Sequence, residues 1–372
     1  MAPWIPPSIK VLESVKNIEL HIISPHEYIT GIKKYEKKGV HYYFYNAHMP
    51  ITGRHWPGFF KWDYISDFRK NKRIAKKLVH QINPDIIHLH GAENAYFSST
   101  ILQFVNKYPI VFTLQGFISN TNSNGSKQIK KRVEVEAEIL KNIKYAFYRT
   151  HTMKDQMRAF NANLQFFWND YPYVKVKPIV NIEKTFDIVF FARITKDKGI
   201  GDLIKALAII KRKKKNISLC VIGGGAIEPW KKLAEENNVA DNIHWAGFLP
   251  TQNDVHRMAS KAKISVLPTY HDIISGTILE SLFLKLPVVA YNVGSIHEVN
   301  EKEEIISLVE KLDVEGLAKA IDFLLDNPEI QKQRAEKGYL RAREMFVHSD
   351  EEIRESLMNA YYKVISDFRE KK

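Results

Sequence analysis

The sequence predicts an α/β protein made of two doubly wound domains. Short, near-continuous apolar runs alternate with segments of helical period, which is the pattern of parallel sheets covered on both faces. The alternation occurs as two sets, one in each half of the chain. The length of 372 residues and the 45% hydrophobic content suffice for two ordinary cores. Charge divides the same way: residues 1–180 hold 26 Lys+Arg against 13 Asp+Glu, whereas residues 181–372 hold 29 of each.

In the first half the chain opens MAPWIPPS and reaches a helix almost at once. The predicted strands are IELHIISP (18–25), VHYYFYNA (40–47), DIIHLHG (85–91), PIVFTLQG (109–116) and YAFYRT (145–150). Ahead of the third, Ile74, Leu78 and Ile82 share one helix face, and Pro84 stops that helix. RHWPGFFKWDY (54–64) mixes aromatic and basic residues, which suits sugar stacking, a membrane interface or an apolar plug under a loop. SNTNSNGSK (119–127) reads as a flexible loop. A linker is expected near KPIVNIEKTF (177–186), giving domains 1–180 and 181–352. The second set of strands is DIVFFAR (187–193), ISLCVIGGG (217–225), NIHWAG (242–247), ISVLPTY (264–270), PVVAY (287–291) and EIISLV (304–309). Leu203, Leu207 and Ile210 line a helix between the first two. The last helix, within 353–372, is amphipathic.

One cysteine, Cys220, lies inside an apolar run and fits a reducing compartment. No stretch has the length of a membrane span, and the start does not read as a secretory signal. The expected location is cytoplasmic. Basic clusters at Lys33, Lys34, Lys37 and Lys38, at Arg69 to Lys77, and at Lys127 to Arg132 favour a polyanionic partner. No nucleic-acid motif accompanies them, so an anionic membrane surface ranks above nucleic acid.

The densest chemistry lies in PTYHDIISGTILESLFLKLPVVA (268–290). It reads as strand, loop, short helix, strand, with Ser275 or Gly276 as the helix cap. Asp272 is a loop acid and Glu280 lies about one turn into the helix. Unpaired amides of residues 276 to 278, including Gly276 and Thr277, suit a phosphate, and the carboxylates suit sugar hydroxyls. Arg193 and Lys198 follow the first strand of the second domain, where cations reach a diphosphate. Gly223, Gly224 and Gly225 follow the next strand and permit either close ligand approach or a tight turn. His88 and His90 alternate on one strand face; His90, Glu93 and Asn94 lie at its end, with Gln115 on the neighbouring edge. No metal-ligand spacing is present.

These motifs resemble the retaining glycosyltransferases of family 4, the glycosyl transferases group 1. Their signature is two glutamates separated by seven residues before a strand of the type PVVA. FFARITKDKGIGDLIKAL (190–207), NIHWAGFLP (242–250) and VLPTY (266–270) extend the similarity, which is dense from about 187 to 350. Asp272 replaces the first glutamate, while Ala192 and Lys285 replace glycines. The resemblance implies the GT-B fold, two Rossmann-like domains facing across a cleft, with the last helix packing back on the first domain. It assigns Glu280 to a nucleotide ribose and Asp272 to the donor sugar. Gly276 and Thr277 are assigned to phosphate, and His90 to the donor sugar from the first domain. Glu93, Asn94 and Gln115 are candidates for acceptor contacts. The implied reaction is metal-independent transfer, with retained configuration, from a nucleotide-sugar substrate to a glycan, lipid-linked in surface polysaccharide synthesis. The sequence shows no clear carboxylate nucleophile, which favours attack from the leaving-group face. Rival readings are a nucleotide-sugar 2-epimerase and a non-catalytic binding or scaffold protein of the same fold. The family's opening strand has no counterpart here, so a longer gene product with an upstream strand is expected. Base, sugar, linkage and acceptor stay open.

Overall fold

The computed structural model describes residues 5–26, 28–48, 62–120, 126–168, 176–179 and 181–370. Residues 54–61 of the aromatic-basic segment and 121–125 of the expected loop lie outside the described residues. The chain divides into two compact units, residues 1–173 with 348–372, and residues 174–347.

The first unit runs α1 (Ile5–Glu13), β1 (Leu20–His26), β2 (Ile32–Lys37), β3 (Val40–Asn46), α2 (Trp62–Ile65), α3 (Arg69–Ile82), β4 (Ile87–His90), α4 (Ala95–Ser98), β5 (Ile110–Thr113), α5 (Lys127–Asn142), β6 (Tyr145–Tyr148), α6 (His151–Phe160) and β7 (Gln165–Trp168). Its strands fall into two sheets, ordered β1-β3-β2 and β4-β5-β6-β7. The second is parallel throughout. The first corrects the expectation of an all-parallel unit, because β2 and β3 form an antiparallel hairpin. Lys38 and Gly39 turn the chain with φ of 53° and 74°, the left-handed pair that matches the twist of a two-residue hairpin. Strand β2 comes out of the Lys33–Lys37 cluster and sits at the sheet edge, where lysines discourage further pairing. Among the described residues, β1 and β4 each pair with one neighbour only.

The last helix, α13 (Asp350–Arg369), belongs to this unit. Ser349 and Glu352 close a reciprocal capping box at its start. Ile353, Leu357, Ala360 and Val364 form its buried stripe and pack with Val11, Leu12, Val111, Tyr145 and Phe147. The 3.6-residue period of the sequence is thus met by a real core.

The second unit runs β8 (Phe186–Phe191), α7 (Ile200–Lys211), β9 (Leu219–Ile222), α8 (Glu228–Glu236), β10 (Ile243–Gly247), α9 (Gln252–Ala259), β11 (Ala262–Leu267), α10 (Gly276–Phe283), β12 (Val288–Tyr291), β13 (Ile306–Val309), α11 (Val314–Asp326) and α12 (Pro328–Phe346). Its six strands are parallel in the order β10-β9-β8-β11-β12-β13. All four residues of β9 and of β12 are buried, as apolar strands covered on both faces should be. The chain winds one way from β8 and the other way from β11. The switch point therefore lies between these two strands, and open sheets of this order bind ligands at the carboxyl ends there.

Candidate active site

The residues after β8 and after β11 meet at that switch point. Arg193 follows β8 and is exposed. Lys198 ends a single 3₁₀ turn and is followed by Gly199, whose φ is 76°. A Cβ on Gly199 would lie 1.9 Å from the carbonyl oxygen of Pro268, so only glycine lets the two loops touch. The Tyr270 N–H donates to the Asp197 carbonyl at 2.8 Å and ties the loops a second time. As a result Lys198 Nζ stands 2.6 Å from Asp272 Oδ2, which also accepts from the Thr269 hydroxyl at 2.9 Å. Burial opposes ionisation of Asp197, but hydrogen bonding and the charges of Lys198 and Arg193 outweigh it and hold its carboxyl below the usual range.

The floor of the site is braced from below. Asp202 on α7 is 7% exposed and accepts from the hydroxyls of Tyr270 at 3.0 Å and Tyr291 at 2.9 Å. Burial and the neighbouring Asp202 push the Tyr270 phenol up to about 12. The Ser295 N–H donates to Ile273 O at 2.8 Å, and Gly294 packs directly on the Asp272 backbone.

Helix α10 supplies the other half. Ser275 is extended and caps it without a side-chain hydrogen bond. The first-turn N–H groups of Gly276, Thr277 and Ile278 have no carbonyl within the helix to bond. Thr277 turns its hydroxyl away from this ring, donating to Phe191 O at 2.8 Å and pinning the helix start to the end of β8. Glu280 Oε2 accepts from Gln252 Nε2 at 2.7 Å and lies 3.1 Å from His256 Nε2. An exposed cation, a second cation, helix amides and two carboxylates therefore line one sheet edge, which can hold a diphosphate together with hydroxyl groups.

The glycine run has a structural use. A Cβ on Gly223 would come within 1.8 Å of Ala192 O, and one on Gly225 within 2.5 Å of Ile194 O. Gly224 meets only Phe248 at 3.6 Å and is the position of the three open to a ligand.

The remaining candidates lie in the first unit, at the carboxyl end of β4 and β5. The His88 and His90 rings stack with centroids 3.9 Å apart. His88 lies 2.7 Å from both the Tyr361 hydroxyl and the Thr113 hydroxyl. Burial, with His90 beside it, drives the His88 pKa well down, and burial lowers that of His90 to about 4. His90 Nδ1 and Glu93 Oε2 are buried without hydrogen-bond partners, and burial raises the Glu93 carboxyl. Arg132 Nε donates to the Glu93 carbonyl at 2.6 Å. Asn94 caps α4, its side chain accepting from Tyr96 N–H at 3.1 Å. Gln115 lies just beyond β5 and is half-buried.

Sequence reasoning missed Asp202, Gln252, His256 and Tyr270. The i, i+4 spacing of Gln252 and His256 marks a shared helix face, but nothing local shows that this face meets Glu280.

Residues 175–341 match the family model described as glycosyl transferases group 1. A capsular polysaccharide biosynthesis glycosyltransferase, CapM, of Staphylococcus aureus is 25% identical, the match covering 93% of this chain and 90% of that protein. Two further curated relatives are matched over only 40% and 39% of their length. Among solved structures, the sucrose-phosphate synthase of Thermosynechococcus elongatus superposes with a TM-score of 0.75 at 17% identity, covering 94% of this chain and 90% of that one. A UDP-forming α,α-trehalose-phosphate synthase of Burkholderia xenovorans gives 0.70 at 14% identity, with 96% of each chain covered. The chain thus has the GT-B fold of two Rossmann-like units, and within its second unit residues 175–341 are similar to glycosyl transferases group 1.

Proposed function

We propose that the chain is a retaining glycosyltransferase that moves a sugar from a nucleotide-sugar to a glycan acceptor, lipid-linked, in polysaccharide synthesis. The observation that carries this reading is the convergence of Arg193, Lys198, Asp272 and Glu280 at one sheet edge, within a segment matching group 1 glycosyltransferases. The bond from the anomeric carbon to the phosphate oxygen breaks, and a bond to an acceptor oxygen forms on the same face. The acceptor proton passes to the leaving diphosphate. Negative charge grows on that diphosphate as it departs, and Arg193, Lys198 and the α10 amides stabilise it without reorganisation. Glu280 accepts from the ribose hydroxyls. Asp272 accepts from the donor sugar once Lys198 is shared with phosphate. These cations take the role of a metal, so chelators should leave turnover intact. The glycan acceptor follows the Staphylococcus relative's name, and the nucleotide donor follows the UDP-forming Burkholderia neighbour. The basic first unit would hold the enzyme on the cytoplasmic face of an anionic membrane; among the described residues no helix is long and apolar enough to cross one.

The test is a screen of nucleotide-sugars for thermal stabilisation, since a ligand at a hundred times its Kd adds about 2.7 kcal/mol. Donor hydrolysis without acceptor is then followed by NMR. Arg193→Ala should cut turnover more than donor affinity, and Glu280→Ala should weaken donor binding. Release of a C2 epimer, or wild-type kinetics in both variants, would defeat the reading.

A further inference from the structure

Glu280 does not stand alone. Its Oε2 is within hydrogen-bond distance of two side chains on α9, Gln252 Nε2 at 2.7 Å and His256 Nε2 at 3.1 Å. These two side chains are one helical turn apart, their nitrogens lie 3.2 Å from each other and both reach the same carboxylate oxygen, so they form one clamp rather than two separate contacts. His256 is 6% exposed, whereas the Glu280 side chain keeps 28% of its surface. The buried partner is fixed by packing, and the carboxylate it holds reaches outward. Thr251 accepts from Asp254 N–H and starts α9 immediately before Gln252, which sets the rotation of the helix that carries both donors.

We propose that His256 and Gln252 are positioning residues that hold Oε2 of Glu280 and so aim Oε1 at a pair of vicinal hydroxyls on the ligand. The inference rests on the assignment of Glu280 to a nucleotide ribose. A glutamate on a helix surface samples several rotamers, and ordering it on binding costs conformational entropy. A carboxylate already bonded at one oxygen has lost that freedom before the ligand arrives, which raises affinity without adding a ligand contact. His256 touches no ligand in this scheme; it acts through Glu280. Specificity follows as well, because the clamp matters only to a ligand that presents hydroxyls to the free oxygen.

The experiment compares UDP, GDP and ADP with their 2′,3′-dideoxy counterparts by calorimetry on the full chain, taking forward the base that the wild type binds best. Glu280→Ala is expected to weaken the ribonucleotide and leave the dideoxy compound nearly unchanged. His256→Leu and Gln252→Leu should do the same to a smaller extent, raising the ribonucleotide Kd about 5- to 10-fold, the scale of one net hydrogen bond. His256→Gln, which keeps a nitrogen donor at similar reach, should recover most of the affinity. Gln252 is exposed, so its variant tests the clamp even where His256→Leu does not fold. Equal loss for the ribo and dideoxy ligands would mean a merely structural role and would overturn the proposal. So would a loss confined to Glu280→Ala. If the wild type itself does not distinguish ribo from dideoxy ligands, the ribose assignment falls first and the clamp with it.

Discussion

At the scale of single residues, the stacked, half-buried histidines of β4 make a claim that can be checked without a substrate. His88 and His90 are held neutral by burial, His90 down to about 4, whereas an unfolded histidine titrates near 6.5. Between those values the unfolded chain takes up protons that the folded chain refuses. Stability is therefore complete above about pH 6.5 and falls as pH drops toward 4, by up to about 1.4 kcal/mol per pH unit for each histidine. Thermal unfolding from pH 7 to pH 4.5 should show the midpoint falling with acid, and His90→Gln should flatten that slope. Identical slopes in the two proteins would show that the pair is not the source. Asp272 and Glu280 are a different case. Their spacing is local, and a loop acid followed by a helix acid is visible in any reading of 268–290. The clamp on Glu280 is not visible, because His256 lies 24 residues away and only the folded sheet brings α9 beside α10.

At the scale of elements, legibility follows periodicity. The six strands of the second unit are mostly apolar and could be read directly from the sequence. Strand β2 could not, because IKKYEK places charge on both faces and removes the apolar run. Its signal is instead the Lys38-Gly39 turn, which reads as a basic cluster until the hairpin is seen. Strand β7, QFFW, pairs only at the sheet edge and is not among the expected strands. Lys285 marks the opposite situation. It stands where the resemblance expects glycine, and its φ is 57°, the left-handed region that favours glycine. Gly199 allows the sharpest test at this scale. A methyl group there would meet Pro268 O at 1.9 Å in a backbone of positive φ, and no side-chain rotation relieves a backbone clash. Gly199→Ala should separate the Lys198 turn from the Asp272 loop. The expected result is a loss of turnover of tenfold or more, with a lowered unfolding midpoint, because both strain and clash act on the second unit. Turnover and midpoint equal to wild type would show that the two loops are not coupled through this contact.

At the scale of the whole molecule, the fold class was legible because two sets of alternating elements suffice to name it. The division of the first unit into two sheets was not, since strand order depends on pairings between distant segments. Charge is the property that only the whole chain reveals. The net excess of +13 lies within residues 1–180. Lys33, Lys34, Lys37 and Lys38 are exposed on and beside β2, and Arg69, Arg73, Lys76 and Lys77 on α3. Some neighbours are neutralised at home: Lys72 and Lys131 both pair with Asp67. The exposed remainder is what an anionic bilayer would feel, at about 1 kcal/mol for each basic residue near the surface. We therefore expect the full chain to sediment with vesicles containing phosphatidylglycerol and not with vesicles of phosphatidylcholine alone. Added salt should release it, because exposed charges are screened over about 8–10 Å at 0.1–0.15 M. Replacing Lys33, Lys34 and Lys37 by glutamate should lower binding sharply while leaving nucleoside-diphosphate affinity intact, since the proposed donor site belongs to the other unit. Binding that ignores both salt and charge reversal would show that the asymmetry is not a membrane device, and a preference for RNA over the anionic vesicles would assign the basic surface to nucleic acid.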